Sequence, residues 1–215
     1  MSALGTVYGV ILNVHQELER LGDALTRAPY VKPPEAPVLF IKPPNTLLPG
    51  GGSVPAPADV DVLQLGATLA VLIGVPACRV PEAQALHHVA GYAAAIDVCI
   101  PHPSLHRPPI RQRCRDGFLP IGRWQAPAHS FDPDNTDIAI EVNGQEELGW
   151  STADLVRSVA KLLADVTAFM TLSAGDVLLV GLPPDPPLAR VGDLVTARVA
   201  GVGEVRCRLV PELAA

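Results

Sequence analysis

Apolar residues lie along this chain in short runs that alternate with segments rich in proline and glycine. Short runs of Val, Ile and Leu bounded by such residues are typical of β-strands. This pattern predicts strands at residues 5–13, 38–42, 65–74, 89–99, 138–142, 145–149, 176–181, 194–200 and 204–210. An Asn143-Gly144 pair separates two of these runs and predicts a tight hairpin turn between them.

The most informative run is LGATLAVLIG, residues 65–74. Leu69, Val71 and Ile73 alternate with small or apolar residues, so the run has no polar face. A continuous apolar run of this length is consistent with a strand that is buried on both sides.

Helical spacing is confined to three segments. Residues 15–26 and 81–88 predict short helices. One long helix is predicted to begin after Ser151 and Asp154, a variant of the capping box, and to end near Gly175. Because the strands do not alternate with helices, the pattern favours an α+β fold, mostly β, over a doubly wound sheet.

Two irregular segments stand out between the predicted elements. Residues 29–37 contain four prolines and predict a connector. We therefore expect a small N-terminal strand-helix element with its connector at residues 1–37 and a β-roll domain at residues 38–215. Residues 100–115 form a long polar loop, and long loops of this kind are often functional.

Composition narrows the class of protein further. Of the 215 residues, 48% are hydrophobic and 18% charged, which is enough apolar sequence for a sizeable core. The net charge of −6 makes nucleic acid an unexpected partner. No apolar run reaches the roughly 18 residues of a membrane span, and no signal peptide is recognisable, so we expect a cytoplasmic protein. The four cysteines form no C-x-x-C pair and favour neither a disulfide nor a zinc site.

Six groups of residues occur in a fixed order along the chain. They are Phe40-Ile41-Lys42-Pro43; residues 65–74; Val89-Ala90-Gly91-Tyr92 with Asp97-Val98; Arg115-Asp116-Gly117-Phe118 with Pro120-Ile121-Gly122; Val142-Asn143-Gly144 with Thr152; and Phe169-Met170-Thr171-Leu172 with Gly175-Asp176-Val177. Together they resemble the fumarylacetoacetate hydrolase family, in the family's own order. That resemblance implies a β-roll of mixed sheets with one long helix, and a homo- or heterodimer.

A narrower resemblance within the family is to the first half of two-half enzymes of 4-hydroxyphenylacetate breakdown. These enzymes decarboxylate 5-carboxymethyl-2-oxo-hex-3-ene-1,7-dioate and isomerise 2-hydroxyhepta-2,4-diene-1,7-dioate. The resemblance implies a small polycarboxylate substrate and a homologous sister subunit as partner.

The family's cation ligands fall on Gly66, Thr68 and Asp97, where the family has two glutamates and an aspartate. One carboxylate holds Mg²⁺ or Mn²⁺ far more weakly than three do. We therefore expect no tightly bound metal in this chain and place the Mg²⁺ or Mn²⁺ in the partner subunit. Asp97 also has a simpler interpretation, as a remaining carboxylate paired with backbone groups or with an arginine.

The family's active-site lysine falls on Arg113, which cannot act as a neutral base but can clamp a carboxylate with two N–H donors. We assign catalytic roles to Asp97 and Arg113. Substrate binding is assigned to Arg111, Arg115 and Lys42, although ordinary solvated arginines are an equal alternative for the loop.

Other family positions are changed or uncertain. The threonine of the family's T-G-T-P segment falls on Leu182, which has no hydroxyl. His15, Glu17 and Glu19 are only weak counterparts of the family's early His or Glu residues. His102 and His106 lie four residues apart, but the neighbouring prolines disfavour the helix that a metal pair would need.

Three hypotheses stay open from the sequence. The chain is a subunit of the decarboxylase/isomerase that works with a sister chain, or a non-catalytic subunit that only supports that chain. Alternatively it is an independent enzyme, with a metal-free site at Arg113 and Asp97 or with another hydrolase activity of the family.

Overall fold

The computed structural model describes residues 4–28, 31–102 and 108–213. Its strands are β1 Val7–Ile11, β2 Val38–Lys42, β3 Leu47–Pro49, β4 Gly52–Ala56, β5 Leu63–Ile73, β6 Val89–Cys99, β7 Leu119–Ile121, β8 Asp137–Val142, β9 Gln145–Ser151, β10 Val177–Leu179, β11 Leu188–Ala189, β12 Leu194–Val199 and β13 Gly203–Pro211. Its α-helices are α1 His15–Leu21, α2 Glu82–Ala85, α3 Ile110–Arg113 and α4 Val159–Thr167. Within these ranges, no helix is long and apolar enough to cross a membrane.

The strands form two mixed sheets. In the larger sheet the order is β2-β1-β10-β5-β6-β7-β3, and β11 also pairs with β5. In the smaller sheet the order is β4-β13-β12-β8-β9. Parallel pairs such as β1 with β10 lie beside antiparallel pairs such as β5 with β6. This is the α+β, mostly β architecture that the sequence predicts, a curled β-roll.

The long strands β5 and β6 form the centre of the larger sheet and are buried on both faces. Leu65, Leu69 and Val71 face the main core between the two sheets. Ala70 faces a second, smaller core on the opposite side. The indole nitrogen of Trp150 in the smaller sheet donates to the carbonyl oxygen of Ala67 at 3.1 Å, which ties the two sheets together. The prediction of a strand without a polar face is thereby confirmed.

The N-terminal strand β1 lies inside the larger sheet, between β2 and β10. It therefore shares a sheet with strands on both sides of residue 37. The domain boundary expected at that residue stays a prediction about how the chain is organised.

The helix predicted after Ser151 forms, but it is shorter and begins later than expected. Ser151 caps only a 3₁₀ turn, and the α-helix α4 begins after Ser158, whose hydroxyl accepts from the backbone N–H of Lys161 at 3.1 Å. Between them, the N–H of Val156 donates to the carbonyl of Asn13 at 2.9 Å. This tertiary contact keeps the chain extended where the apolar spacing alone suggests a helix.

Residues 43–57, where the apolar pattern predicts no strand, contain strands β3 and β4. Both pair in parallel with strands far along the chain, β7 and β13. Local sequence carries no signal for such pairings, which explains why they were missed. The expected loop at residues 100–115 includes α3, and residues 103–107, with His106, lie outside the described residues.

Candidate active site

A cavity of about 380 Å³ lies at one end of the larger sheet, on the face that carries the smaller core. Strands β5 and β6 form its floor, α1 covers one side, and α3 and a proline-rich turn complete the wall. The charged and polar side chains that line it are Glu17, Arg20, Gln64, Asp97, His102, Arg113 and Asp185.

Asp97 and Gly66 are paired directly across β5 and β6. Directly paired residues of antiparallel strands point to the same face, so both belong to the floor of the cavity. Cys99 follows Asp97 on the same face of β6, because side chains alternate along a strand. Burial raises the pKa of the Cys99 thiol to about 11, so it stays protonated at neutral pH.

The Asp97 carboxylate is buried, with an exposed fraction of 2%, and lies between two cations. Its Oδ1 is 2.7 Å from Nζ of Lys42, and its Oδ2 accepts from a terminal guanidinium nitrogen of Arg113. The structure thus brings together Asp97, Arg113 and Lys42, three of the residues selected from the sequence.

Lys42 lies behind Asp97 and is completely buried. Its Nζ donates to the carbonyl oxygens of Val98, Arg113 and Phe118 at 2.8–3.0 Å. Burial lowers the pKa of Lys42, and the negative charge of Asp97 opposes that effect. Three carbonyl acceptors require all three N–H groups of the ammonium form, so we treat Lys42 as charged. Its ammonium group faces protein atoms, which separates it from any ligand in the cavity.

These contacts leave Oδ1 of Asp97 without a hydrogen bond despite its short distance to Lys42. The three N–H groups of the ammonium already point at carbonyls. The contact between Lys42 and Asp97 is therefore an ion pair that depends on charge rather than on a directed hydrogen bond.

Arg113, at the end of α3, forms the part of this cluster that faces the cavity. Its guanidinium lies 4.3 Å from the centre of the Phe40 ring, and its side chain is 13% exposed. The ring has room because its neighbour on β1 is Gly9, where a Cβ atom would lie 2.0 Å from the ring. Phe40 and Asp97 together fix the guanidinium plane, and this favours two-pronged binding of a carboxylate.

Glu17, on α1, was only a weak counterpart in the sequence, yet it lines the cavity. Its Oε2 accepts from the backbone N–H of Leu12 at 2.6 Å. Burial raises the pKa of Glu17 to about 7, and the positive charges of Arg113 and Arg20 oppose the rise. Arg20 was missed because an exposed helical arginine has no distinctive local signal; in the structure it pairs with Asp185 at 2.7 Å.

The other predicted arginines lie outside the cavity lining. Arg111 is exposed and contacts Asp59 at 3.7 Å, and Arg115 contacts Glu212 at 3.6 Å. Their assignment to substrate binding stays a prediction.

The positions that match the family's cation ligands do not fit a divalent ion. Gly66 has no side chain, and a Cβ atom there would lie 2.6 Å from Cδ2 of Leu182. The hydroxyl of Thr68 is buried and donates to the carbonyl oxygen of Gly181 at 2.7 Å. Asp97 already faces two positive charges, which would repel a cation. In the described part of the chain, no three His, Cys, Asp or Glu side chains cluster as metal ligands.

Comparison with known proteins places the chain among enzymes of one family. The 4-hydroxyphenylacetate degradation bifunctional isomerase/decarboxylase of Salmonella dublin is 40% identical over 208 residues, which cover 97% of this chain and 48% of that protein. The chain thus spans about half the length of this curated relative.

Two solved structures share the fold. The 5-carboxymethyl-2-hydroxymuconate delta-isomerase of Mycobacterium smegmatis has a TM-score of 0.81 and 29% identity, covering 98% of this chain and 80% of that one. A fumarylpyruvate hydrolase of Pseudomonas aeruginosa, solved with Mn²⁺ and pyruvate, has a TM-score of 0.82 and 24% identity over 97% and 91% of the two chains. At that identity the second likeness concerns the fold alone.

The family model described as fumarylacetoacetate (FAA) hydrolase C-terminal matches residues 6–210 of the chain. That match spans both sheets and every residue of the Asp97 cluster. The chain belongs to the fumarylacetoacetate hydrolase family.

Proposed function

We propose that this chain is one of two homologous subunits of a decarboxylase/isomerase of 4-hydroxyphenylacetate breakdown. Its substrates would be 5-carboxymethyl-2-oxo-hex-3-ene-1,7-dioate and 2-hydroxyhepta-2,4-diene-1,7-dioate. The observation that carries the proposal is the 40% identity to a bifunctional isomerase/decarboxylase along 97% of the chain. A cytoplasmic location, as expected from the sequence, is part of the same proposal.

In this proposal Arg113 contacts the substrate. Both substrates are polycarboxylates, and a guanidinium held in a fixed plane binds a carboxylate through two N–H donors. Asp97 acts through Arg113, because its carboxylate oxygens face Lys42 and Arg113 rather than open space. Asp97 is thus a positioning residue, and Lys42 holds the wall of the cavity behind it.

The degenerate cation position supports the part of the proposal that concerns a partner. Hard divalent ions need several oxygen ligands, preferably carboxylates, and Gly66 and Thr68 supply no carboxylate here. We place the Mg²⁺ or Mn²⁺ of the reaction in a sister subunit that keeps its Glu-x-Glu pair.

The experiment compares the purified chain alone with its mixture with such a sister chain. Loss of the conjugated dienoate absorbance and release of CO₂ are measured with and without EDTA. We expect turnover only in the mixture, and we expect EDTA to abolish it. Turnover by this chain alone that persists in EDTA would overturn the proposal.

An Arg113→Gln variant in the same mixture separates a catalytic subunit from a supporting one. If Arg113 binds substrate, kcat/KM falls by about 10- to 100-fold, as for the loss of a charge-assisted contact. The matched control is Arg206→Gln on β13, an exposed arginine that pairs with Glu204 at 2.7 Å and does not line the cavity. Unchanged turnover in both variants would assign the chain a purely structural role.

A second candidate function is an independent, metal-free enzyme that uses Arg113 and Asp97. The observation in its favour is Glu17, since burial raises its pKa to about 7 and a group with such a pKa can exchange protons at neutral pH. Chelator-resistant turnover by the chain alone is the outcome that this candidate requires.

A further inference from the structure

The cluster around Asp97 carries more positive than negative charge. One carboxylate faces two cations, Lys42 and Arg113. Lys42 is fully buried, and Asp97 is nearly so. Buried charges are costly unless they are paired. Because one positive charge of the cluster has no negative partner within it, the cluster favours binding of an anion.

Arg113 is where an anion can reach that charge. Its side chain keeps 13% exposure and lines the cavity, whereas the ammonium of Lys42 is enclosed by three carbonyl oxygens. A guanidinium has five N–H donors in one plane, more than its contact with Asp97 uses. The face of the guanidinium lies on Phe40, which leaves its edge for a ligand in the same plane.

Glu17 is the acidic group that shares this cavity with Arg113. The Arg113 charge acts on it from across the cavity, and the Leu12 N–H holds its Oε2. As a carboxylate Glu17 would supply part of the missing negative charge, and as a neutral acid it could donate a hydrogen bond to a bound anion. An anion on Arg113 and ionised Glu17 would share one cavity and repel each other, because burial weakens the screening by water.

We propose that this cavity binds a carboxylate on Arg113 without a divalent cation, and that Glu17 takes up a proton as the carboxylate binds. The inference rests on the proposed function for its ligand class, a small dicarboxylate or keto acid. It goes beyond that function by making the binding step independent of metal and dependent on pH.

The direction of the pH dependence follows from the charges. Burial raises the pKa of Glu17 to about 7 in the free protein. A bound anion would raise it further, so binding takes up a proton between the two values. Affinity is therefore highest below pH 7 and falls as the pH rises through 7.

Other titratable or charged groups face the same cavity. Arg20 and Asp185 pair with each other at its mouth, and the Cys99 thiol has a pKa of about 11, far from this pH range. His102 also lines the cavity and is the other acid–base candidate there. The test must therefore separate Glu17 from His102.

The probe is succinate, titrated into the purified full chain in EDTA and followed by ligand-observed NMR from pH 5.5 to 8.5. We expect saturable binding in EDTA that weakens about ten-fold between pH 6 and pH 8, as for uptake of one proton. Arg113→Gln should weaken binding at least ten-fold. The matched variant Arg206→Gln, at an exposed arginine of β13 that pairs with Glu204 outside the cavity, should bind like the native chain.

Variants of the two acid–base candidates decide the proton step. Glu17→Gln imitates the protonated acid, so it should keep tight binding at pH 8 and lose the pH dependence. His102→Gln should keep the pH dependence. Loss of the pH dependence in His102→Gln but not in Glu17→Gln would overturn the proton step, and binding that requires added Mg²⁺ or Mn²⁺ would overturn the metal-free step.

These outcomes are independent of the proposed function. If the subunit mixture shows turnover but this chain does not bind succinate in EDTA, only the proposal of metal-free binding is wrong. If this chain binds succinate in EDTA but the mixture shows no turnover, only the proposed function is wrong.

Discussion

At the level of single residues, the wall of the cavity depends on Lys42, a residue that does not itself line the cavity. Lys42 joins three backbone carbonyls from β6, α3 and the segment before β7, and it neutralises Asp97. This arrangement connects the two elements that carry Asp97 and Arg113. The same lysine was assigned to substrate binding from the sequence, and its burial makes a structural role the better explanation.

Replacing Lys42 with methionine should cost about 3–5 kcal/mol in the free energy of unfolding, because a buried ion pair loses one partner and three carbonyls lose their donor. Urea denaturation followed by circular dichroism measures the change. Lys161→Met is the matched control, since Lys161 is exposed and pairs with Asp165 on its own helix; it should cost less than about 1 kcal/mol. A cost below 1 kcal/mol for Lys42→Met would show that the cluster does not stabilise the fold.

Gly66 and Leu182 form a second contact at the scale of single residues. The Leu182 side chain occupies the space that a side chain at position 66 would need. We predict that Gly66→Ala destabilises the protein by about 1 kcal/mol, the low end for overpacking, because the added methyl meets the terminal methyl of Leu182 rather than backbone. Leu182→Ala should cost about 2–5 kcal/mol through the cavity it leaves.

The double variant tests whether these two costs are linked. Its loss of unfolding free energy should be about 1 kcal/mol smaller than the sum of the two single losses. The reason is that the methyl added by Gly66→Ala partly fills the space that Leu182→Ala empties. Thermal and urea denaturation of all four proteins complete the cycle. Strict additivity would show that the Leu182 side chain does not occupy the position above Gly66.

At the level of elements, α4 shows how tertiary contacts select a helix boundary. Two serines lie at plausible starting points, Ser151 and Ser158, and each caps a different element. The carbonyl of Asn13 accepts from the N–H of Val156 between them and holds the chain extended. The α-helix can begin only after that contact.

Ser158→Ala should therefore lower the unfolding free energy by about 1 kcal/mol, the usual cost of removing an N-cap. Ser151→Ala should cost less, because its hydroxyl accepts from Ala153 at 3.4 Å in a single 3₁₀ turn. Differential scanning calorimetry of both variants gives the comparison. A larger loss for Ser151→Ala would show that the helix begins where the apolar spacing alone places it.

Strands β1 and β2 support the Arg113 side chain through the packing of a glycine against an aromatic ring. Gly9 on β1 leaves space for the Phe40 ring on β2, and that ring supports the guanidinium of Arg113. The apolar runs that predict both strands carry no sign of this packing. It arises only because the strands are paired in a register that places Gly9 opposite Phe40.

At the level of the whole molecule, the two sheets enclose a main core on one face of the central strands, and a smaller core buries their other face. This leaves the end of the larger sheet as the place where polar groups can gather. The chain spans about half of a bifunctional relative. Under the proposed function, a homologous sister subunit would supply the cation that Gly66, Thr68 and Asp97 do not fit.

Metal analysis of the purified chain tests whether Gly66, Thr68 and Asp97 can hold a divalent cation. After incubation with excess Mn²⁺ and dialysis, mass spectrometry should find fewer than about 0.1 ions per chain, because one paired carboxylate binds a divalent ion weakly. A sister chain that retains its Glu-x-Glu pair serves as the positive control. A stoichiometric ion in this chain would contradict the geometry at Gly66, Thr68 and Asp97.

The amino-acid sequence by itself determined the strand-rich class, the buried central strand and the family, and it selected Asp97 and Arg113 as candidates whose roles stay predictions. These depend on local apolar patterning and on short motifs, which a linear sequence displays. Only the tertiary structure showed that Lys42 lies behind Asp97, that Leu182 covers Gly66 and that Glu17 faces Arg113. Each of these pairs joins residues distant in sequence, and their charges and volumes interact only once the strands and α1 are packed around one cavity.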